Sequence, residues 1–540
     1  MNKGSYFIGL LAVFILAQNG VSQGSGDGYL NPTCVSTLSD DFINLIQVVD
    51  VDKDGVPNIL VGTSKNGILY NYIYKGADCT TDWEVLDNGG WSYNTPGDVK
   101  SFAVADLDGD GRNQIVMNSI ESKREKSSTP TEYVYVIKDN AIDDWNFDKE
   151  CGFTHSVDVA DIDGTGVKNV VMGTKARKVC VIKDNPKDKT PILWSYDTGK
   201  YEVQYVKSMD INGDGKAETI AVSSKYLDAY IYCIDNMGGK MWEANIPKGL
   251  YTPALTSNVV EVAEMKPGKY SIIVGTYENG VESYDSKGAK EWSYKTGNLV
   301  SSVHTADVDG DGSREVLVGS GSNVIALDGR GGKKWSWGSD TPSTIYSISS
   351  ADLDGDGKME VAVGTSRYIH VLDNNGKLKG SWRYTVEIQG SSRAYEERDA
   401  NAVAIRFSDL DLDGAVEVVV GWNWEQDTIM GNQYIGDVRV YEINRNYVPK
   451  PPTTTTIPQE VKDEIDAEMK AKQKAVETAT TTTQKTRDMD ELLDTPKPTT
   501  KGRGDDDGEG GLCCLPALPA ILALGAAIIA RTPLMITKED

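Results

Sequence analysis

The sequence predicts an all-β fold, an eight-bladed β-propeller of four-stranded blades, with seven blades as the alternative. Three observations predict it. An acidic loop recurs along residues 29–446, a tryptophan recurs ahead of it, and each repeat reads as four short strands. Repeats of roughly 20–50 residues mark solenoids, propellers or arrays, and four strands per repeat select the propeller.

The loop is fullest at Asp307 to Gly319. Aspartates stand at positions 1, 3 and 5 (Asp307, Asp309, Asp311), glycine at 6, and an acid, Glu315, at 9, followed by an apolar strand that ends in glycine. Asp352, Asp354, Asp356 and Glu360 repeat it, as do Asp409, Asp411, Asp413 and Glu417. Asp210, Asn212, Asp214 and Glu218 form a copy with one aspartate replaced. Earlier copies hold an amide at position 9: Asp50, Asp52, Asp54 with Asn58; Asp106, Asp108, Asp110 with Gln114; and Asp161, Asp163, Thr165 with Asn169. An eighth copy, from Ala263 through Pro267 and Gly268 to Gly275, has lost the aspartates.

Oxygen side chains at this spacing wrap a short turn around one hard cation. Calcium fits best, because it takes six to eight oxygen ligands in flexible geometry. An EF-hand would need a glutamate at position 12, and Met172, Val318, Val363 and Val420 stand there instead. The reading is up to seven Ca²⁺ sites. The four loops with a replaced ligand are expected to bind more weakly than those starting at Asp307, Asp352 and Asp409.

Tryptophan fixes the register. Trp91, Trp145, Trp194, Trp292 and Trp335 lie 15 to 17 residues before the next loop aspartate. Trp242 and Trp382 lie 21 and 27 residues ahead of the start of the next copy, at Ala263 and Asp409, so those two junctions are read as carrying insertions. In the sixth repeat the strands are expected at 302–306, 315–318, 323–327 and 334–337. The last repeat runs out after its third strand, 438–443. The segment from Tyr29 to Thr37 is therefore expected to return as its fourth strand and close the ring.

Loop and strand together resemble the FG-GAP or VCBS repeat, the family that includes the calcium-binding blades of the integrin α-subunit propeller. The resemblance covers most of residues 38–445 and implies a calcium-binding propeller; function varies widely on this fold. The segments leading from Tyr284 to Trp292 and from Ala326 to Trp335 also resemble the tryptophan-docking turns of quinoprotein propellers.

Charge agrees with the metal reading. The chain carries a formal charge of −25, and the seven intact loops hold 23 of its carboxylates. Seven Ca²⁺ ions would bring the total to −11. The acidity excludes nucleic acid as a partner, since phosphate binding needs a basic surface. Only three histidines occur, His155, His304 and His370, and no catalytic constellation surrounds them.

Residues 1–22 have the layout of a secretory signal peptide, with Lys3, an apolar run and small residues at Gly20 and Ser22. Residues 447–511 read as a Pro/Thr-rich and acidic stalk, disordered apart from a short charged helix at 459–477. Residues 512–530 are free of charge and long enough to cross a bilayer as one transmembrane helix. Residues 531–540 would then form a cytoplasmic tail, with the propeller outside the cell. Five cysteines precede the stalk, Cys34, Cys79, Cys151, Cys180 and Cys233. The odd count leaves at least one unpaired within the chain. Cys180 and Cys233, at equivalent third-strand positions, are expected to be buried thiols.

Long loops on a rigid scaffold carry binding, and the longest are 121–131, 387–400 and 422–436. Arg393, Tyr395, Glu396, Arg398, Trp422 and Trp424 are the candidate ligand residues. The functional expectation is a cell-surface adhesion or ligand-binding module for an extracellular protein or polysaccharide. The alternatives are a carbohydrate-active enzyme of the polysaccharide lyase or hydrolase type and, behind it, a quinoprotein-like oxidoreductase.

Overall fold

Each repeat folds into an antiparallel sheet because its second strand is apolar on both faces and must be covered from both sides. In the computed structural model, all six residues of Asn58–Thr63, Asn169–Thr174, Glu315–Ser320 and Glu360–Thr365 are buried. Outermost strands alternate instead, as in Lys333–Gly338, where half-buried residues separate exposed ones. The structure describes residues 25–26, 29–39, 41–64, 67–74, 90–95, 97–120, 133–148, 151–183, 192–225, 228–246, 259–277, 280–339, 343–389, 395–428 and 431–444.

Eight blades result. The first is Ile43–Val49, Asn58–Thr63, Ile68–Ile73 and Trp91–Asn94, with strands hydrogen-bonded in chain order. Blades two to seven begin at Asp98, Thr154, Val203, Val260, Val300 and Ile345 and follow the same order. Blade five is complete although its acidic loop has shrunk to the Pro267–Gly268 turn between Val260–Lys266 and Lys269–Gly275. Its apolar strands suffice without a loop.

The eighth blade closes the ring as expected. Asn401–Ser408, Glu417–Thr428 and Gly431–Ile443 are joined by Leu30–Ser39, which pairs from Leu30 opposite Ile443 to Ser39 opposite Ile435. Unforeseen is a short fifth strand on blade seven, Ser25–Gly26, paired with Trp382 and Arg383.

Tryptophans hold neighbouring blades together. The indole Nε1 of Trp91, Trp194, Trp242, Trp292 and Trp335 donates to the carbonyls of Asp139, Asn236, Ser286, Gly329 and Asn374, each in the last turn of the next blade. Four of those turns are tied by an aspartate, for example Asp328 Oδ1, which accepts from the amides of Arg330 and Gly332 at 2.8 and 2.9 Å. Trp382 does not belong to the series. The register puts Gly380 opposite Val371, where Trp335 stands opposite Ala326 one blade earlier. A Cβ on Gly380 would collide with Tyr29, so the returning N-terminal segment occupies the space an indole fills elsewhere.

The glycine ending the second strand has its own cause. At Gly62, Gly173, Gly319 and Gly364 a Cβ would come within 3 Å of Val99, Val203, Ile345 and Ala402, all in the first strand of the next blade. Only glycine permits that approach.

The cysteine expectation is corrected. Cys180 is bonded to Cys151, with Cα atoms 6.2 Å apart, and of the two only Cys233 is a buried free thiol. Cys34 is also disulfide-bonded. Cys151 lies just ahead of its blade's first strand, a placement that periodicity of the strands alone does not reveal. The proposed signal peptide, stalk, helix at 459–477, transmembrane helix and tail lie outside the described residues. No helix among the described residues is long and apolar enough to cross a membrane.

Candidate metal centres

The seven loops adopt one backbone pathway, dictated by two left-handed residues. Position 6 is always glycine, with φ from 81° at Gly357 to 93° at Gly55 and Gly111. Position 4 is also left-handed, and there the sequence is less strict: Gly109, Gly164, Gly213, Gly310 and Gly355 alternate with Lys53 at 59° and Leu412 at 62°. In every loop the position-6 amide donates to Oδ2 of the first aspartate, at 2.8–3.0 Å. That folds the aspartate over the turn.

Position 9 does something the spacing did not reveal. Its side-chain oxygen accepts from the backbone amide of position 2 in all seven loops: Val51 to Asn58, Leu107 to Gln114, Ile162 to Asn169, Ile211 to Glu218, Val308 to Glu315, Leu353 to Glu360 and Leu410 to Glu417, at 2.7–3.1 Å. The residue is a latch that ties loop to strand. An amide performs it as well as a carboxylate, which explains Asn58, Gln114 and Asn169.

Carboxylate oxygens converge in five loops. Asp50, Asp52 and Asp54; Asp106, Asp108 and Asp110; Asp307, Asp309 and Asp311; and Asp352, Asp354 and Asp356 each bring one oxygen per residue to within 4.8 Å of the others. In the last loop Asp409 and Asp411 converge with Glu417. Three of the oxygens, Asp50 Oδ1, Asp309 Oδ1 and Asp409 Oδ1, are enclosed and lack a hydrogen-bond partner. Enclosed anionic oxygens without partners are costly, and a hard cation among them relieves the cost. The donor set fits Ca²⁺.

In the other two loops a neutral side chain hydrogen-bonds one of the acids. Thr165 Oγ1 donates to Asp163 Oδ1 at 2.7 Å, and Asn212 Nδ2 donates to Glu218 Oε1 at 2.8 Å. These are two of the four loops expected to bind weakly. Two of the complete loops carry a cation of their own: Lys334 Nζ bridges Asp309 and Glu315, and Lys379 Nζ bridges Asp354 and Glu360 at 2.7 and 3.1 Å. A calcium ion entering either loop meets an ammonium. The loop at Asp409 has no such lysine among the described residues, and burial, then Asp411, Asp413 and Asp409, pushes the Glu417 carboxyl up to about 7.

The loops are linked around the ring. The amide of Ala217 donates to Asp161 O, that of Met359 to Val308 O, and Asn113 Nδ2 to Asp50 O, each at 3.0 Å. Each of these donors sits at position 8 of one loop and each acceptor at position 1 or 2 of the loop before. A family model of the FG-GAP-like repeat matches residues 307–363 and 352–420, the two stretches that span the loops of blades six to eight. Blades six to eight of the propeller are FG-GAP-like repeats.

Among solved structures, the chain is similar to the biofilm matrix protein Bap1 of V. cholerae, at 16% identity over 77% of this chain and 92% of that one, with a TM-score of 0.41. It is similar to Sqt1 from Chaetomium thermophilum at 10% identity over 77% and 100%, TM-score 0.48. BBS1N in complex with ARL6DN follows at 12% identity over 64% and 92%, TM-score 0.38. No curated protein matches the chain.

The candidate ligand residues are placed unevenly. Trp422 and Trp424 are 0% and 6% exposed and belong to the core between blades seven and eight, so they are not surface contacts. Trp422 Nε1 donates to Tyr441 Oη at 3.1 Å, and the rings of Trp422 and Trp424 lie against Tyr384. Tyr395, Glu396 and Arg398 lie on a hairpin, Thr385–Gln389 with Tyr395–Asp399, inserted between blades seven and eight; Arg393 and residues 121–131 lie outside the described residues. The three histidines sit in strands. His155 meets Glu202, His304 meets Ser350 and His370 meets Ser381, at 2.8–3.0 Å.

Proposed function

We propose that this protein is a calcium-stabilised ligand-binding propeller displayed at the cell surface, where it acts in adhesion to an extracellular protein or polysaccharide. The observation that carries the reading is the division of labour between the two faces. The acidic loops all join first to second strands and so emerge on one face. The inserted hairpin of residues 385–399 and the long hairpin of Glu417–Thr428 and Gly431–Ile443 belong to the other face. Metal on one side stiffens the ring, and elaborated hairpins on the other are free to vary for a partner. Display outside the cell rests on the signal peptide at 1–22, the stalk at 447–511 and the helix at 512–530 as read from the sequence.

The test is a screen of the full-length protein against glycan and protein arrays in calcium. It is repeated with residues 389–395 replaced by a short Gly/Ser turn. The reading expects a ligand that the shortened variant loses while its unfolding midpoint is kept. Turnover of a polysaccharide panel, or binding indifferent to the hairpin, would overturn it.

A further inference from the structure

The first strands of the blades surround a central channel, and their registers place one residue of each blade at the same level. These are Gln47, Ala103, Asp158, Lys207, Glu261, His304, Ser349 and Arg406, each three residues ahead of its loop or, in blade five, opposite Ile273 as His304 is opposite Leu317. A cavity of about 420 Å³ occupies the half of the channel nearer the hairpin face, lined among others by Asn44, Gln47, Lys100, Tyr205, Lys207 and Arg406. That size is ordinary for a small-molecule site, about 300–1,000 Å³.

The lining holds three cations, Lys100, Lys207 and Arg406, and one carboxylate, Asp158. Lys207 Nζ is committed to Asp158 Oδ1 at 3.0 Å, and the Ser208 amide holds the other oxygen of that carboxylate at 2.6 Å. Glu261 accepts from Thr305 Oγ1 at 3.2 Å. Arg406 is different. Its guanidinium, half-buried at the channel wall, makes one hydrogen bond, to the carbonyl of Ile405 at 2.7 Å, and no ion pair among the described residues. Glu261 acts on it only at longer range. Lys100 stands at the mouth, 3.8 Å from Asp98 and 42% exposed. An unpaired guanidinium in a confined channel of a protein with net charge −25 is costly unless an anion answers it.

We propose that the channel binds a small hydroxylated carboxylate, an acidic sugar of the uronate kind, with Arg406 holding the carboxylate. A planar guanidinium fork matches a carboxylate with two parallel hydrogen bonds. Tyr205 supplies a ring face; Asn44 Nδ2 and Gln47 Nε2 donate to Val99 O and Phe102 O, which leaves their amide oxygens to accept from hydroxyls. A doubly charged phosphate or sulfate would ask for a second unpaired cation in the lining of this cavity, where Lys207 is paired with Asp158 and Lys100 stands at the mouth. The inference rests on the ligand-binding reading and specifies its chemistry.

The test is calorimetric titration of the full-length protein in calcium with glucuronate, glucose and inorganic sulfate. Glucuronate is expected to bind at least about tenfold more tightly than either of the others, and Arg406→Gln to lose at least about tenfold in affinity, the effect of removing charge-assisted hydrogen bonds. Lys100→Gln, at the exposed mouth, is expected to weaken binding severalfold with its unfolding midpoint unchanged, which keeps the test valid if Arg406→Gln folds poorly. No heat with glucuronate, sulfate binding equal to glucuronate, or Lys100→Gln and a folded Arg406→Gln that both bind as wild type would overturn the proposal. Partner capture that needs the hairpin would survive those outcomes, so failure of the channel site is distinguishable from failure of the adhesion reading.

Discussion

Replacing Glu417 by glutamine is expected to have opposite consequences with and without calcium. The latch survives, because a glutamine oxygen can accept from the Leu410 amide as Gln114 does from Leu107. What changes is charge. Glu417 shares its loop with Asp409 and Asp411, whose oxygens lie within 4.8 Å. Like charges that close repel by about 1 kcal/mol in water-like surroundings and about 4 kcal/mol at an effective dielectric of 20. The loop is partly open, so removing one carboxylate above about pH 7.5 should stabilise the chelated protein by about 1–3 kcal/mol. On the calcium reading the same carboxylate is a ligand in saturating calcium. Its loss should reduce the calcium increment in stability by about 3 kcal/mol, roughly a hundredfold in affinity at that loop. Urea unfolding followed by tryptophan fluorescence, in chelator and in calcium, measures both. Glu417→Ala is the control: it breaks the latch and should destabilise in both conditions by about 1–3 kcal/mol. If Glu417→Gln were destabilised equally in both, position 9 would be a latch alone and the metal assignment of that loop would fail.

Trp335→Phe should cost about 1–3 kcal/mol in urea unfolding, since it abandons the bond to Asn374 O and the packing on the Gly376 turn; an unchanged midpoint would contradict tryptophan docking as the seam between blades. His370, between the rings of Trp337 and Tyr368, is held by burial at about 4, below its usual 6.5. A depressed imidazole pKa contributes stability above pH 6.5 that is lost as pH falls toward 4, up to about 3 kcal/mol. His370→Phe should flatten that limb of the pH–stability curve, and parallel curves would refute it. Deleting residues 30–39 removes the fourth strand of blade eight and Cys34, and is expected to give insoluble or protease-sensitive protein; a soluble, resistant variant would show that closure is dispensable.

Much of this architecture was legible because the repeat carries its own causes. Alternating loop and strand gave the blades, and the missing last strand pointed to Leu30–Ser39. The decayed blade five folded all the same, because its apolar strands suffice. Other features depend on residues far apart in sequence. Tyr29 fills the place above Gly380, so a tryptophan count alone misassigned Trp382. Trp422 and Trp424 looked like a recognition pair because they sit in a long hairpin, yet Tyr384, between two strands, and Tyr441, on the neighbouring strand, pack against them. Lys334 and Lys379 reach back from the fourth strand into loops that looked complete, and no spacing within a loop shows that. The latch at position 9 was visible as a residue type and misread as a ligand alone, since the amide it serves is seven residues earlier.

The most direct test of the calcium account is thermal unfolding of the full-length protein in excess calcium and in chelator. Five converging carboxylate loops, each contributing about 2–3 kcal/mol at a hundredfold excess over its dissociation constant, predict a midpoint lower by at least about 10 °C on chelation. An unchanged midpoint would mean that the aspartates only shape turns, and the account of a metal-stabilised ring would be wrong.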